Sequence, residues 1–114
     1  MNINVKRFKS DIPEIEVFRH LRSSAPLTTR QMAALLGCHP TAVTHWEMGR
    51  HKMATPRREQ YMKIFKLSEN DLTDYRSGAK AVPVSYRNEC MLLIDKMAQE
   101  KLQVIYPILV NMVN

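Results

Sequence analysis

The sequence predicts an all-α chain: a compact bundle of five short helices followed by one longer apolar helix. Apolar residues recur at spacings of three and four through most of the chain, the period of a helix with one buried face. Thr28 with Gln31, and Ser68 with Asp71, stand three apart at the head of such stretches. That arrangement caps a helix start, because each side chain satisfies a backbone N–H that the first turn leaves free. Three glycines against eight methionines favour helices over sheets.

Residues 1–10 are read as a basic N-terminal arm, with Lys6, Arg7 and Lys9 and no acid, and the favoured reading is a free tail. Asp11 is the expected N-cap of the first helix, with Pro13 in its first turn and Glu14 three residues after the cap. Ile15, Phe18 and Leu21 continue this helix to about Ser23, and Pro26 stops it. The second helix starts at Thr28 and buries Met32, Leu35 and Leu36. Gly37 supplies the left-handed residue that turns the chain, on the expectation that a Cβ would clash there. His39 caps the third helix, Pro40 opens it, Val43 and Trp46 face the core, and Gly49 ends it. Thr55 and Pro56 open a fourth helix with Tyr61, Ile64, Phe65 and Leu67 as its apolar set, and Ser68 caps a short fifth with Leu72 and Tyr75. Residues 76–84, with Gly78 and Pro83, are expected to be a linker. From Ser85 to the end, 17 of 30 residues are apolar, which predicts a C-terminal oligomerisation helix over 85–114, kinked near Pro107.

Charge divides the chain the same way. Residues 1–84 hold 14 basic and 8 acidic residues and therefore all of the net +6, whereas residues 85–114 hold three of each. A basic body with a neutral apolar tail suggests one surface for a polyanion and another for protein. No apolar run is long enough to span a bilayer, and the N-terminus lacks the apolar stretch of a signal peptide, so a cytoplasmic protein is expected. Cys38 and Cys90 share no metal-ligand spacing with each other or with the histidines and read as reduced thiols. No nucleophile–base pair or phosphate-binding glycine loop is present, and neither enzyme chemistry nor a cofactor is expected.

The stretch from Thr28 to Arg50 is a pair of short helices around a tight turn, the layout of a helix-turn-helix. Leu27-Thr28, Met32-Ala33, Leu36-Gly37, Val43, Trp46-Glu47 and Gly49 stand at mutual spacings that resemble the lambda-repressor-like family, also called the Cro or XRE type, over 11–75. Met32 stands where the family usually has leucine. The resemblance implies a double-stranded DNA partner, a third helix lying in the major groove, and a structural pair between Glu47 and an arginine of the first helix, for which Arg22 is the match. It also places Pro40, Thr41, Thr44 and His45 at base-reading positions. Threonine can bond base edges and histidine can donate to guanine, while Pro40 departs from the family's long polar residue and offers no bidentate contact. Thr28, Thr29 and Gln31 at a helix N-terminus, together with Arg50, Lys52 and Arg57, are the expected phosphate contacts; Arg58 is read as a backbone anchor in the same cluster, with a merely solvated face as the alternative for Arg58 and Lys63.

A single unit of this size reads few bases, so useful affinity needs two copies. Met91, Ile94, Met97, Leu102, Ile105 and Leu109 are the residues expected to join them into a homodimer or homotetramer. Phage and prophage regulators of this family have this size and layout. Repressor and activator stay equally open; an activator would add a patch for RNA polymerase. The other reading is an antitoxin whose tail holds a toxin and whose DNA-binding body controls its own operon.

Overall fold

The computed structural model describes residues 5–114; residues 1–4 of the expected arm lie outside it. The elements run β1 (Val5–Lys6), α1 (Glu14–Ser24), α2 (Thr29–Leu36), α3 (Pro40–Glu47), α4 (Thr55–Ile64), α5 (Glu69–Ser77), β2 (Val82–Pro83), α6 (Tyr86–Asp95) and α7 (Gln99–Val113). Among the described residues the fold is all-α apart from one antiparallel pairing, Val5 with Pro83 and Lys6 with Val82.

Helices α1 to α5 enclose one core. Val17, Phe18, Met32, Val43 and Tyr61 are fully buried, and Ile15, Leu21, Leu27, Trp46 and Phe65 pack around them. The Phe18 and Tyr61 rings meet at a centroid distance of 5.2 Å, and burial raises the pKa of the Tyr61 phenol. Both expected capping boxes form: Thr28 with Gln31 and Ser68 with Asp71 each exchange side-chain and backbone bonds of 2.9–3.0 Å.

The start of α1 differs from the expectation. Pro13 occupies the N-cap position and Asp11 makes no cap. The preceding residue is held by the end of α5 instead: the Ile12 amide donates to the Arg76 carbonyl at 3.3 Å, and Arg76 Nε donates to the Ile12 carbonyl at 2.6 Å. These bonds take the approach to α1 away from the geometry an Asp11 cap needs.

The expected linker and arm are also corrected. Val82 and Val84 are buried, and the Arg7 guanidinium donates to the carbonyls of Gly78 and Ala79 at 3.1 and 2.7 Å. Gly78 lies at φ +86°, and a Cβ there would sit 1.8 Å from the Phe8 carbonyl oxygen. Val5–Lys6 is therefore a strand paired with Val82–Pro83, and Arg7 and Phe8 lie against residues 78–79, with glycine required at 78 where the two backbones touch. At Gly37 the requirement is different from the clash expected of it. Its φ is +72° but no heavy atom lies within 4 Å of a Cβ, so the left-handed backbone alone selects glycine.

The C-terminal segment is two helices where one was expected. The break falls at Lys96–Ala98, where no glycine or proline stands, and α7 runs unbroken across Pro107. Neither helix contains a buried residue.

Candidate nucleic-acid interface

Helix α3 is held from three sides. At its start, Pro40 fits the first turn, and His39 Nδ1 accepts from the Thr41 amide at 3.1 Å, replacing the usual hydroxyl or carboxylate cap. Along its inner face Val43 is buried and Trp46 packs against the core. At its end Glu47 takes a two-pronged bond from Arg22, with Nε at 2.6 Å and Nη2 at 2.8 Å. The third prong of Arg22 donates to the Leu27 carbonyl at 2.6 Å, just ahead of α2. With the Glu47 and Arg22 side chains 5% and 13% exposed, this is a largely buried, fully engaged fork. It fixes α1, the α2 entrance and the end of α3 relative to one another.

The opposite side of α3 is open. Thr41 is exposed, and Pro40, Thr44 and His45 are half-exposed. Thr44 donates its hydroxyl proton to the Pro40 carbonyl at 3.3 Å, so its oxygen stays available as an acceptor. The His45 ring packs against His51, with centroids 4.9 Å apart. Sequence reasoning gave His51 no role, and only the wrap of the following loop reveals it: the amides of Arg50 and His51 both bond the His45 carbonyl, at 2.9 and 3.4 Å. Arg50 and Lys52 stand in that loop, just beyond the end of α3. Both are exposed, and neither makes a side-chain bond among the described residues.

The other expected phosphate contacts divide. Thr28 and Gln31 are exposed at the N-terminus of α2, but each spends one oxygen on the capping box, leaving the Gln31 amide hydrogens as donors. Thr29 is half-exposed beside them, and Arg30, which the sequence reading passed over, is exposed on the same turn. The first-turn amides of α2 have no intrahelical acceptor and point toward that end. Arg57 is engaged inside the fold: its guanidinium donates to the Leu36 carbonyl at the end of α2, and to Gln60 at 3.0 Å. Arg58, read as a backbone anchor or else a solvated charge, instead clamps α4 to two neighbours, bonding Glu14 at 2.5 Å and Glu69 at 2.7 and 2.9 Å. Glu69 and then Glu14 hold its pKa above the ordinary arginine value.

Along one edge of α1 runs an open groove of about 960 Å³, whose walls include Ile15, Leu27, Thr28, Gln31, Thr44, Met48 and Leu92. A second hollow of about 360 Å³ lies between the end of α6 and α7. It brings together Ile94, Leu102, Ile105 and Leu109 of the expected oligomerisation set, whereas Met91 and Met97 do not line it. Met91 is 53% exposed.

An all-α bundle whose second and third helices meet across a left-handed glycine, with the third helix open to solvent, is a helix-turn-helix domain. Residues 16–74 match the family of that description, helix-turn-helix domain, and cover a little over half of the chain, which belongs to that family. No curated protein and no solved structure matches it. Family and fold together make the chain a DNA-binding regulator in the general sense. Among the described residues no helix is long and apolar enough to cross a membrane.

Proposed function

We propose that the chain is a sequence-specific transcription regulator that binds a repeated operator as a homo-oligomer. In this reading α3 enters the major groove, with Thr41, Thr44 and His45 on base edges and Pro40 against the groove wall. Arg50 and Lys52 at one rim, and Thr29, Gln31 and Arg30 at the α2 N-terminus, take the flanking phosphates. Helices α6 and α7 join the copies. The observation that supports this most is the Arg22–Glu47 fork: a buried ion pair holds α3 in place while its polar face stays uncovered. Such a helix is already set in its binding pose, and little ordering cost remains on association.

Binding measured on a selected duplex and on random duplex, across a salt series, tests the assignment. Arg50→Ala should weaken both alike and flatten the salt dependence by about one phosphate contact. Thr44→Ala and His45→Ala should instead change sequence preference, by about 1–3 kcal/mol at one base pair. Equal losses on both duplexes for the Thr44 and His45 variants would falsify their role in base reading. A footprint on the DNA flanking the gene would then give the number and spacing of half-sites.

A further inference from the structure

We propose that Glu89 and Asn88 are positioning residues that set which half-site spacing the oligomer accepts, by locking α6 to the same turn of α1 that holds the recognition helix. The proposal rests on the reading above, a DNA-binding oligomer joined through α6 and α7.

Helix α6 buries no residue, yet it is firmly attached. Arg19 grips both oxygens of Glu89, at 2.5 and 3.1 Å, with the two side chains only 17% and 24% exposed. Burial opposes the Glu89 carboxylate, but the hydrogen bond and charge of Arg19 prevail and hold its pKa below the ordinary value. One residue earlier, Asn88 Nδ2 donates to Ser23 Oγ at 2.7 Å and to the Ser23 carbonyl at 3.4 Å. Ser23 is itself buried. Tyr86 at the head of α6 adds a bond from its hydroxyl to the Val5 carbonyl at 3.3 Å.

Arg19 and Arg22 stand three apart and therefore on one face of α1. The first forks onto Glu89 of α6 and the second onto Glu47 of α3. Two successive arginine–glutamate forks thus relay position from the recognition helix to α6 through a single helical turn. Planar forks constrain direction as well as distance. The intervening chain adds no slack, because Val82 and Val84 are buried and β2 is paired with β1. Two copies joined through their C-terminal helices would then present their α3 helices at one fixed separation and rotation. Two bodies on loose tethers would accept many spacings, since only geometric compatibility converts a second contact into avidity.

The test uses the full-length chain and a half-site that it selects from random duplex. Paired half-sites are separated by successive spacers over about one helical turn, in both relative orientations. Wild type should favour one arrangement by about tenfold or more over its neighbours. Glu89→Arg should keep the sedimenting mass and bind a single half-site within about twofold, while its spacing preference falls below about threefold. The exchange Arg19→Glu with Glu89→Arg should restore that preference, and Asn88→Ala should lower it by a smaller factor. The proposal alone is overturned if Glu89→Arg keeps the wild-type preference, if it changes the mass, or if the exchange fails to restore the preference. A wild-type chain that sediments as a monomer, or selects no half-site, overturns the underlying reading and this proposal with it.

Discussion

Helices α1 to α5 and helices α6 and α7 draw on the same apolar residue types and use them in opposite ways. In the first group Val17, Phe18, Met32, Val43 and Tyr61 are wholly out of water. In the second nothing is buried, and Tyr106, Met112 and Val113 are 70, 77 and 85% exposed. Apolar side chains in the body hold the fold together. Those in the tail leave the described chain with an unspent hydrophobic surface, of a kind monomeric proteins rarely keep at this extent. The attachment between the two groups is correspondingly polar, resting on Arg19, Glu89, Ser23 and Asn88.

Substitutions in the two regions should therefore behave differently. The largest effect is expected inside the body. Glu47→Ala leaves the Arg22 guanidinium buried without its carboxylate and should cost about 3–5 kcal/mol in denaturant unfolding. A loss below about 1 kcal/mol would mean that α3 is held by packing alone. Next comes the joint. Gly78→Ala meets both a positive φ and the Phe8 carbonyl and should cost roughly 3 kcal/mol, against about 1–2 kcal/mol for Gly37→Ala, which meets only the first. Equal costs for the two would show that β1 lifts off residue 78 easily. The smallest effect on stability is expected in the tail. Leu109→Asp should change unfolding of the body by less than about 0.5 kcal/mol while lowering the sedimenting mass. A large loss of monomer stability there would show that α7 supports the body after all.

The same division governs what could be read from the sequence. The body's caps and turn are local devices, and Thr28 with Gln31, Ser68 with Asp71, His39 and Gly37 all stand within a few residues of what they organise. The Arg22–Glu47 pair was reached through the resemblance, since nothing in their own neighbourhoods joins residues 25 apart. What escaped was non-local. Val5 pairs with Pro83, Arg7 reaches Gly78, and Arg19 reaches Glu89 across 70 residues. Such pairings impose no period on either partner, so residues 76–84 looked like a linker. The break at Lys96–Ala98 escaped for another reason: Met97 and Ala98 are compatible with a helix, and no residue there forbids one. That Pro40, Thr41, Thr44 and His45 lie on the uncovered side of α3 was legible from the motif's spacing, whereas the commitment of Arg57 to the Leu36 carbonyl was not.

Pro107, in the middle of α7, has no amide hydrogen to offer the Gln103 carbonyl one turn earlier. Gln103, Pro107 and Asn111 stand four apart and form a line along the helix. That line holds the carbonyl that Pro107 leaves without its usual donor, flanked by two side-chain amides, in a helix whose residues from Val104 onward are apolar apart from Asn111. Sheathing the whole circumference in hydrocarbon would strand these groups, so this line favours water or a polar partner over an apolar one. In the homo-oligomer proposed above, that line would limit how many copies can pack around each α7.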